Sequence, residues 1–381
     1  SNLLFQDISS SKNKEELLKG LVDEVVTHLF DFETEQAFKF KLIKYSEHEY
    51  ELIFVIDHII GDDSSMQILK EELSQLYNAF DQNLPNPLNP IRFGIKDFVT
   101  DFRQHYEGDF LKKHRAYYKG LFRDQPQRLK IKPKYSGLAS GLEREKLLGD
   151  SENQLTIPGE FAKYNLSPTA YQRLTENSNG SVYLFTIPEE VLKNVQDLAT
   201  ELQTSLYAVF IAVYGIFFNE ITEENEFVID SPVALRSNQD FLSLVGWLVG
   251  SMMVPVTVNE NDQLKDLILS GKNKIVEAMQ HSHFQPEIKF VELLQSKLNF
   301  IYDDGRDMPV IENTPQYTTN VYYDFSFIIT VFQNGMGVAC EYNKSIIEES
   351  KIKGICDKFI DILKRAGNSK QGNVKIADLS N

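Results

Sequence analysis

The sequence predicts a protein of mixed α and β structure, in the α/β or α+β class. Segments with the two-residue period of strands alternate along the chain with segments that repeat apolar residues every three or four positions, as helices do. A length of 381 residues suits one large domain or two medium lobes, and a hydrophobic content of 42 % is enough for a sizeable core. These observations exclude intrinsic disorder for most of the chain.

The first part of the chain is predicted to contain a helix, a hairpin and a second helix. Residues 12–29 place leucine and valine on one helical face, and residues 37–45 and 50–56 have the apolar patterns of strands. A second amphipathic helix follows the next turn, where Ser64 and Gln67 have the spacing of a capping box.

A proline-rich stretch divides the predicted elements into two groups. Residues 83–90 contain three prolines and three asparagines, which neither a helix interior nor a central strand accommodates. We predict that this stretch links an N-terminal lobe, residues 1–90, to a C-terminal lobe, residues 91–381. In the second lobe the patterns predict helices at residues 95–122, 188–198, 205–218, 265–280, 287–298 and 346–366, and strands at residues 181–187, 227–229, 246–258, 299–303, 321–332 and 336–342.

The charge and the cysteine content argue against several classes of function. Lysine and arginine number 39 against 55 aspartate and glutamate residues, and the net charge of −16 disfavours binding to nucleic acid. Two cysteines form neither a disulfide framework nor a zinc cluster, so we expect a cytoplasmic protein without a bound metal. No run of about 18 apolar residues predicts a membrane span, and the first residues lack the basic region of a secretory signal.

One short segment, residues 55–65, combines the groups that acid–base chemistry needs. A strand brings His58 to its carboxyl end, and Asp62 follows in the turn that starts a helix. A histidine exchanges a proton near neutral pH, and the amino end of a helix favours developing negative charge. This combination suits acyl transfer, in which a nucleophile loses a proton and an oxyanion forms. The alternative is a helix cap without catalysis, because Asp or Ser before a helix is most often a cap.

Basic residues cluster on the long helix predicted for the second lobe. Lys112, Lys113 and Arg115 form a basic patch in an otherwise acidic chain. Such a patch is either a solvated helix face or a docking surface for an acidic partner. The histidines other than His58 are interpreted as structural or solvated.

Residues 57–65 resemble the HHxxxDG motif of the condensation domains of nonribosomal peptide synthetases. His58 falls on the second histidine, to which the family assigns the catalytic role, and Asp62 falls on the aspartate. The resemblance continues in the family's order along nearly the whole chain. Residues 231–236 (SPVALR) resemble the family's GtPvAgR, residues 245–252 (VGWLVGSM) resemble iGfFvNTL, and residues 341–343 (EYN) resemble the feYn before the closing helix.

The sequence departs from the family pattern at several motif positions. Asp57 replaces the first histidine, Asp63 replaces the motif glycine, and Gly250 and Ser251 replace an Asn-Thr pair. The family's arginine-bearing RHExLRTxF segment, whose arginine pairs with the motif aspartate, precedes residue 1 in this comparison. Asp62 is therefore expected to lack that partner.

The resemblance implies a fold, a reaction and a set of partners. The implied fold is a V of two lobes, each resembling chloramphenicol acetyltransferase with a mixed sheet and flanking helices. Carrier proteins bring a donor thioester and an aminoacyl acceptor on phosphopantetheine arms, the domain itself binds no cofactor, and neighbouring synthetase domains are further partners.

The resemblance also implies roles for individual residues. His58 is expected to accept or position a proton while the acceptor amine attacks the thioester, and Asp62 is expected to be structural. Arg236, Gly246 and Ser251 are expected to line or support the site from the second lobe.

Asp57 leaves other activities open within the same fold. Asp57, Asp62 and Ser65 have the DxxxxDxxS spacing of heterocyclization domains, although the rest of the chain resembles an ordinary condensation domain. A motif that begins with Asp-His also occurs in ester-forming relatives. A third hypothesis is a non-catalytic member that recruits a partner. The alternative without a functional role is that Asp57 is a tolerated replacement on a strand face directed away from the substrate.

Overall fold

The computed structural model describes residues 3–26, 28, 30–104, 108–122, 131–136, 180–222, 224–236, 238–283, 296–302, 323–332, 335–344 and 346–380. Most of residues 123–180, for which the sequence predicts no helix or strand, lie outside these described residues. The described residues form two compact units. The first unit contains those of 3–104 and 234–249, and the second contains those of 108–233 and 250–380.

The first unit is built on a three-stranded sheet. Strand β1, Leu3–Asp7, runs parallel to β2, Phe38–Lys44, and β2 runs antiparallel to β3, Tyr50–Ile56. The predicted hairpin is thus confirmed to within one residue at each strand end. β1 is not among the predicted strands, because its sequence LLFQD shows no clear alternation.

One face of this sheet is buried through helix α1, Lys14–Val26. Lys41 and Ile43 lie on the same face of β2 and are both buried. The ammonium group of Lys41 donates a hydrogen bond of 2.8 Å to Glu24 of α1. The helix therefore fixes β2 and, through the hairpin register, the carboxyl end of β3.

Helix α2, Asp63–Asp81, begins at the turn that follows β3. Its N-cap is Asp62, whose side chain accepts a hydrogen bond from the backbone N–H of Ser65. The predicted capping box at Ser64 and Gln67 is therefore wrong. The carboxylate of Asp62 reaches the free N–H groups of the first turn, so no serine cap is needed.

Helix α3, Ile95–Gln104, belongs to the first unit although it follows the proline-rich stretch. Residues 91–104 and 234–249 thus join the N-terminal residues, and this division differs from the predicted boundary after residue 90. The physical reason is a small apolar core between α3 and the later segment. It contains Phe98, Leu235, Phe241, Leu244 and Leu248.

The helical region predicted at residues 95–122 consists of two helices among the described residues. Helix α3 ends at Gln104, and helix α4, Asp109–Leu121, begins after Gly108. Gly108 has a φ of +67°, a conformation that glycine adopts without strain and that does not continue a helix.

The second unit is built on a six-stranded mixed sheet in the order β4-β9-β8-β7-β5-β6. β7 runs parallel to β5 and β8, and β9 runs antiparallel to β4 and β8. The mixed α and β class is thus confirmed. The strands are β4, Gly180–Ile187; β5, Glu226–Ala234; β6, Val249–Thr257; β7, Ser296–Tyr302; β8, Phe325–Phe332; and β9, Gly335–Asn343.

The prediction for residues 287–298 is wrong at the end of the segment. Residues 296–298 begin β7 instead of ending a helix, and Leu298 is fully buried in the sheet opposite Phe327 of β8. Residues 287–295 lie outside the described residues. Sheet pairing with distant strands therefore overrides the local helical pattern.

Helices pack against this sheet around an aromatic core. Helix α7, Leu206–Ile221, is apolar on all sides, and most of its residues are buried. Its Tyr214 and Phe217 contact Phe327 and Phe359. The described helices of this unit after α4 are α5, Pro133–Ser136; α6, Glu189–Glu201; α7, Leu206–Ile221; α8, Leu264–His281; α9, Glu349–Gly367; and α10, Ile376–Ser380.

Within the described residues, no single helix combines the length and hydropathy of a membrane span. Helices α6 and α7 meet those criteria only as a pair, which is bent by 112°.

Candidate active site

The turn after β3 is shaped by Asp57. The backbone N–H of Ile59 donates to Asp57 Oδ1 at 2.9 Å, and the N–H of Ile60 donates to the Asp57 carbonyl at 3.1 Å. The N–H of Asp57 donates to the carbonyl of Ala37 at 2.8 Å, which holds the turn to the hairpin. Asp57 lies beyond the last residue of β3, so it is a turn-forming residue and not a replacement on a strand face.

His58 occupies the next position of this turn and is exposed. Its Nδ1 lies 2.7 Å from the carbonyl oxygen of Gly61. A carbonyl oxygen only accepts hydrogen bonds, so Nδ1 carries the proton. In the neutral ring Nε2 is then the unprotonated nitrogen, and it is able to accept a proton.

Gly61 allows the turn to fold tightly against the strand. A Cβ atom at this position would approach the Cδ1 atom of Ile56 to 2.7 Å. The close packing therefore favours glycine at the residue whose carbonyl orients His58.

Asp62 does not face solvent but lies in a buried hydrogen-bond network. Its Oδ1 accepts from the backbone N–H of Ser65 at 2.8 Å and from the Ser65 hydroxyl at 2.7 Å. Its Oδ2 accepts from the backbone N–H of Leu248 at 2.9 Å. The carboxylate thus caps α2 and at the same time binds a segment nearly two hundred residues away in sequence.

Asp62 forms an ion pair with Arg236, which belongs to the SPVALR segment and is not the arginine of the RHExLRTxF segment. Nη1 and Nη2 of Arg236 each donate to one carboxylate oxygen at 2.8 Å. The two side chains are only 4 % and 1 % exposed. Such a paired, two-bond geometry is the strong form of the arginine–carboxylate interaction.

Ser65 and Gly246 complete the network. The hydroxyl of Ser65 accepts from the N–H of Gly246 and from Nη2 of Arg236, both at 3.0 Å. The Gly246 carbonyl accepts from the same Nη2 at 3.2 Å. A Cβ atom on Gly246 would approach the Cδ1 atom of Ile95 to 2.3 Å, so any other residue at this position would require the Ile95 side chain to move.

Arg236 and Gly246 were predicted to act from the second lobe, which stays a prediction, but the contacts among the described residues group them differently. Both belong to the first unit together with His58 and Asp62, because the network and the core around Phe98 bind residues 234–249 there. Ser251 belongs to the second unit, where its hydroxyl donates to Asp230.

The network lowers the pKa of Asp62. Burial by itself would raise this pKa, but the hydrogen bonds from Arg236, from Ser65 and from the Leu248 N–H outweigh burial and hold it below the ordinary value of 3.8. The ionised form of Asp62 is therefore the one that the folded protein stabilises.

We expect this stabilisation to disappear in acid. Because the pKa of Asp62 is lower in the folded than in the unfolded chain, the carboxylate contributes fully above about pH 5 and loses its contribution as the pH falls through the folded-state pKa. The measurement is the free energy of unfolding of the wild type and of Asp62→Asn between pH 7 and pH 3. The difference between the two proteins should shrink in acid, and a constant difference would contradict this account.

Trp247 lies beside His58. The centroids of the indole and imidazole rings are 6.0 Å apart, and the ring planes are tilted by 44°. Trp247 is the single tryptophan of the chain and is 54 % exposed. Trp247 lies in the VGWLVGSM segment, but the exposure of an aromatic side chain is not visible in a sequence.

The remaining predicted site residues lie apart from this turn or on its surface. Asp63 is exposed in the first turn of α2, where a carboxylate interacts favourably with the helix dipole. Lys112, Lys113 and Arg115 are exposed on α4 in the second unit, and the intervening His114 is buried against His281. Burial lowers the pKa of His281 to about 4.

A buried carboxylate that the sequence reasoning missed lies in the second unit. Asp230 of β5 accepts hydrogen bonds from the hydroxyls of Ser251 and Tyr323. Burial raises the pKa of Asp230, and these hydrogen bonds oppose that effect. The sequence feature that could have identified Asp230 is its position directly before the SPVALR segment.

No group of three or more His, Cys, Asp or Glu side chains in the described part of the chain is arranged to hold a metal ion. The absence of a bound metal stays a prediction for the whole chain.

The comparison with protein families identifies the chain. The family model of the condensation domain matches residues 2–380. The chain belongs to the condensation domain family. The resemblance drawn from the motifs is therefore confirmed.

This condensation domain is similar to segments of much longer peptide synthases. Gramicidin S synthase 2 of Aneurinibacillus migulanus is 23 % identical over 377 residues, which cover 93 % of this chain and 7 % of the synthase. The chain therefore spans only a small fraction of the length of the curated relatives it matches.

Solved structures share the fold of this condensation domain. The first condensation domain of the calcium-dependent antibiotic synthetase gives a TM-score of 0.69 at 16 % identity and covers 99 % of this chain and 77 % of that chain. The X-domain from teicoplanin biosynthesis gives a TM-score of 0.74 at 14 % identity and covers 99 % of this chain and 80 % of that chain. Two differently named domains therefore share this fold, so the fold alone does not assign the activity.

Proposed function

We propose that this condensation domain forms an amide bond between a carrier-bound acyl or peptidyl thioester and an aminoacyl acceptor. The observation that carries the proposal is the geometry of His58. Its Nδ1 is directed to the carbonyl of Gly61, and the ring is exposed. A neutral imidazole held in this way offers Nε2 to a substrate as a proton acceptor.

The reaction moves one proton from the acceptor nitrogen to the leaving thiolate and requires no metal. The acceptor nitrogen forms a bond to the thioester carbonyl carbon, the carbon–sulfur bond breaks, and the phosphopantetheine thiol leaves. His58 Nε2 takes the proton that the nitrogen loses and returns it to the leaving thiolate, or it positions the amine and stabilises the tetrahedral state. Because thioesters are already activated, the placement of the two reactants supplies much of the acceleration.

The buried network acts on this chemistry indirectly. Asp62, Arg236 and Ser65 hold the start of α2 and therefore the Gly61 carbonyl that orients His58. Asp57 holds the other half of the same turn. These residues position the histidine and are not proposed to touch the substrate.

The contacts of Asp57 favour condensation over heterocyclization. Asp62 and Ser65 bind each other in the buried network, whereas the Asp57 carboxylate accepts from the N–H of Ile59 in the turn. In this arrangement the three residues of the DxxxxDxxS pattern do not act as one group. A turn-forming role is sufficient to explain Asp57.

The proposal is tested by intact-mass spectrometry of acyl-loaded carrier protein mixed with this domain and a panel of acceptors. Amine acceptors should give a product whose mass is the sum of donor and acceptor. Product formation with hydroxyl acceptors only would show that the domain forms esters and not amides. A further loss of water with cysteine or serine acceptors would indicate heterocyclization. Carrier binding without any transfer would favour a recruiting role.

We also propose that donor and acceptor carrier proteins are the partners, with neighbouring synthetase domains beside them in a longer chain. The exposed face of α4 is the proposed carrier-docking surface. Lys112, Lys113 and Arg115 are exposed there, and Lys112 forms only a surface ion pair of 3.1 Å with Asp109. Such a pair contributes little, so these cations remain available to an acidic partner.

The double variant Lys112→Glu/Lys113→Glu should weaken carrier capture about tenfold or more at low salt, with a smaller effect at high salt because exposed charges are screened. Surface plasmon resonance with immobilised carrier protein measures the effect. The matched control is Lys193→Glu/Lys351→Glu, which reverses two exposed lysines elsewhere on the second unit and should leave capture unchanged. Equal losses of carrier capture in both variants would indicate that the exposed face of α4 is solvated and does not bind the carrier.

A further inference from the structure

Two histidines, His114 and His281, form a buried pair where α4 meets the end of α8. His114 is 2 % exposed and His281, the last residue of α8, is 4 % exposed. Their Nδ1 atoms lie 2.8 Å apart, and the ring planes are inclined by 74°. Two nitrogens at this distance share one proton, so one ring donates from Nδ1 and the other accepts. If both rings carried a charge, both Nδ1 atoms would be donors and the contact would be lost.

Aromatic side chains of α4 enclose this histidine pair. The ring of Tyr117 is stacked on that of His281, with 3.9 Å between the ring centroids and 3° between the planes. The ring centroid of Phe110 lies 3.9 Å from that of His114. The hydroxyl of Tyr118 donates to the His281 carbonyl at 3.1 Å. The histidine pair therefore lies among aromatic rings, where water hydrates an added proton poorly.

This environment lowers the pKa of both histidines. Burial, then the neighbouring His114 and then Lys113 lower the pKa of His281 from its ordinary value of 6.5 to about 4. Burial, Lys113 and His283 also lower the pKa of His114. Because the two rings interact, the two steps of protonation belong to the pair. The closed pair thus binds protons more weakly than histidines in water do.

The charged groups around the histidine pair come from α4 and from α8 with the turn after it. Lys113 lies on α4 and His283 follows α8, and their positive charges disfavour a cation in the pair. Glu277 of α8 acts on the adjacent Tyr117, whose pKa is raised by burial and then by this carboxylate. Strand β6 contributes a carbonyl, that of Met253, which accepts from the Tyr117 hydroxyl at 3.2 Å.

Helix α4 is held by a small core of its own. Tyr118, Phe122 and Met253 form an apolar cluster that is separate from the main core of the unit. This cluster holds the second half of α4, whereas His114 lies in the first half. Segments held by small clusters open at a lower free energy than the main core does. The stability of α4 against local opening should therefore depend on the histidine pair.

We propose that the histidine pair is a pH-sensitive contact, which holds α4 against the end of α8 while it is neutral and releases α4 when it takes up protons. Lys112, Lys113 and Arg115 flank His114 in sequence, so a release of α4 displaces this basic patch as well. That the contact also regulates carrier capture rests on the proposed docking function of α4.

The direction of the pH effect follows from the two protonation equilibria. In the open form His281 has its ordinary pKa of 6.5, and in the closed form its pKa is about 4. Above about pH 7 neither form binds this proton, and the contact stabilises α4 fully. As the pH falls from 6.5 to 4, only the open form is protonated, so opening becomes more favourable. Between pH 7 and pH 5 the opening constant of α4 should rise about twentyfold through His281 alone.

Hydrogen–deuterium exchange followed by mass spectrometry tests this inference on the wild type. After correction for the intrinsic exchange rates, peptides from α4 should lose about twentyfold in protection between pH 7 and pH 5. Peptides from α9 of the same unit should lose less, because local openings of α9 leave the histidine pair buried. An equal loss in α4 and α9 would show that acid opens the whole unit, and it would overturn the inference.

A double variant removes the titration and keeps the packing. His114→Leu/His281→Phe leaves no unpaired ring nitrogen and keeps an aromatic ring next to Tyr117, so protection of α4 should change less than about threefold between the two pH values. The matched control is His48→Gln, which removes an exposed histidine of the first unit and should keep the twentyfold loss. A loss in the double variant as large as in the wild type would overturn the inference.

An NMR titration of the wild type serves as a second measurement that needs no variant. With histidines labelled at Cε1, two of the seven should titrate well below pH 6. Seven titrations near pH 6.5 would contradict the inference whether or not the double variant folds.

Added carrier protein separates the inference from the proposed docking function. A carrier that binds closed α4 should, at about twenty times its Kd, restore about twentyfold protection at pH 5. Loss of protection in acid without any effect of the carrier would support the pH-sensitive contact and contradict docking on α4. Protection by the carrier without a pH effect would support docking and overturn the pH-sensitive contact.

Discussion

Replacing Asp62 by alanine is expected to lower the free energy of unfolding by about 3–5 kcal/mol. The substitution leaves the guanidinium of Arg236 buried without its two-bond partner and removes the cap of α2. It also removes the acceptor that binds the Leu248 N–H. Product formation should fall as well, because the same turn carries the Gly61 carbonyl that orients His58. Chemical denaturation followed by the fluorescence of Trp247 measures the loss in the unit that contains the network.

Two further variants separate the ion pair from general damage to the turn. Asp63→Ala changes an exposed carboxylate one residue away and should cost less than about 1 kcal/mol. In the double variant Asp62→Ala/Arg236→Met no charge stays buried without a partner, so it should be more stable than Asp62→Ala. If Asp62→Ala unfolds at the same denaturant concentration as the wild type, the pair has no structural role.

Replacing His58 by alanine is expected to reduce product formation about a hundred- to ten-thousandfold, the usual contribution of a general acid–base group. The fold should tolerate this change. His58 is exposed and, among the described residues, is hydrogen-bonded to the Gly61 carbonyl, so the free energy of unfolding should change by less than about 1 kcal/mol. Single-turnover assays with loaded carrier proteins measure the first effect, and chemical denaturation measures the second.

His48→Ala is the matched control for this prediction. His48 is an exposed histidine in the connection between β2 and β3, and its removal should change neither rate nor stability. A loss of activity in both histidine variants would indicate an effect of surface charge and not of the catalytic turn.

The two predictions differ in how far the sequence anticipates them. The strand, turn and helix around His58 are local, since the hairpin pattern and the polar turn lie within a few residues of it. The position of His58 at the end of a strand is therefore predictable. The direction of its ring is not, because it depends on one carbonyl contact, to Gly61.

The partner of Asp62 is a different case. Arg236 lies 174 residues away, and no local period links the two positions. The motif pattern identified both residues but assigned Arg236 to the other lobe, because chain order suggested a division after the proline-rich stretch. Packing of Phe98 with Leu248 and its neighbours decided the actual division, and such long-range packing leaves no signal in a single sequence.

The sequence also predicts only in part which apolar side chains are buried. An apolar run such as that of α7 predicts a core helix, and the structure buries it. Trp247 and Leu248 are both apolar neighbours in one motif, yet one is exposed and the other buried. The backbone N–H groups of Gly246 and Leu248, bound by Ser65 and Asp62, fix the segment between them, and Leu248 packs into the core around Phe98.

The most direct test of the central claim is a side-by-side reaction of the wild type and His58→Ala with the same acyl-loaded donor and aminoacyl-loaded acceptor carrier proteins, followed by intact-mass spectrometry over time. The account predicts that the wild type transfers the acyl group to the acceptor amine, and that His58→Ala binds both carriers with unchanged affinity and forms almost no product. Equal rates of amide formation by the two proteins would contradict it.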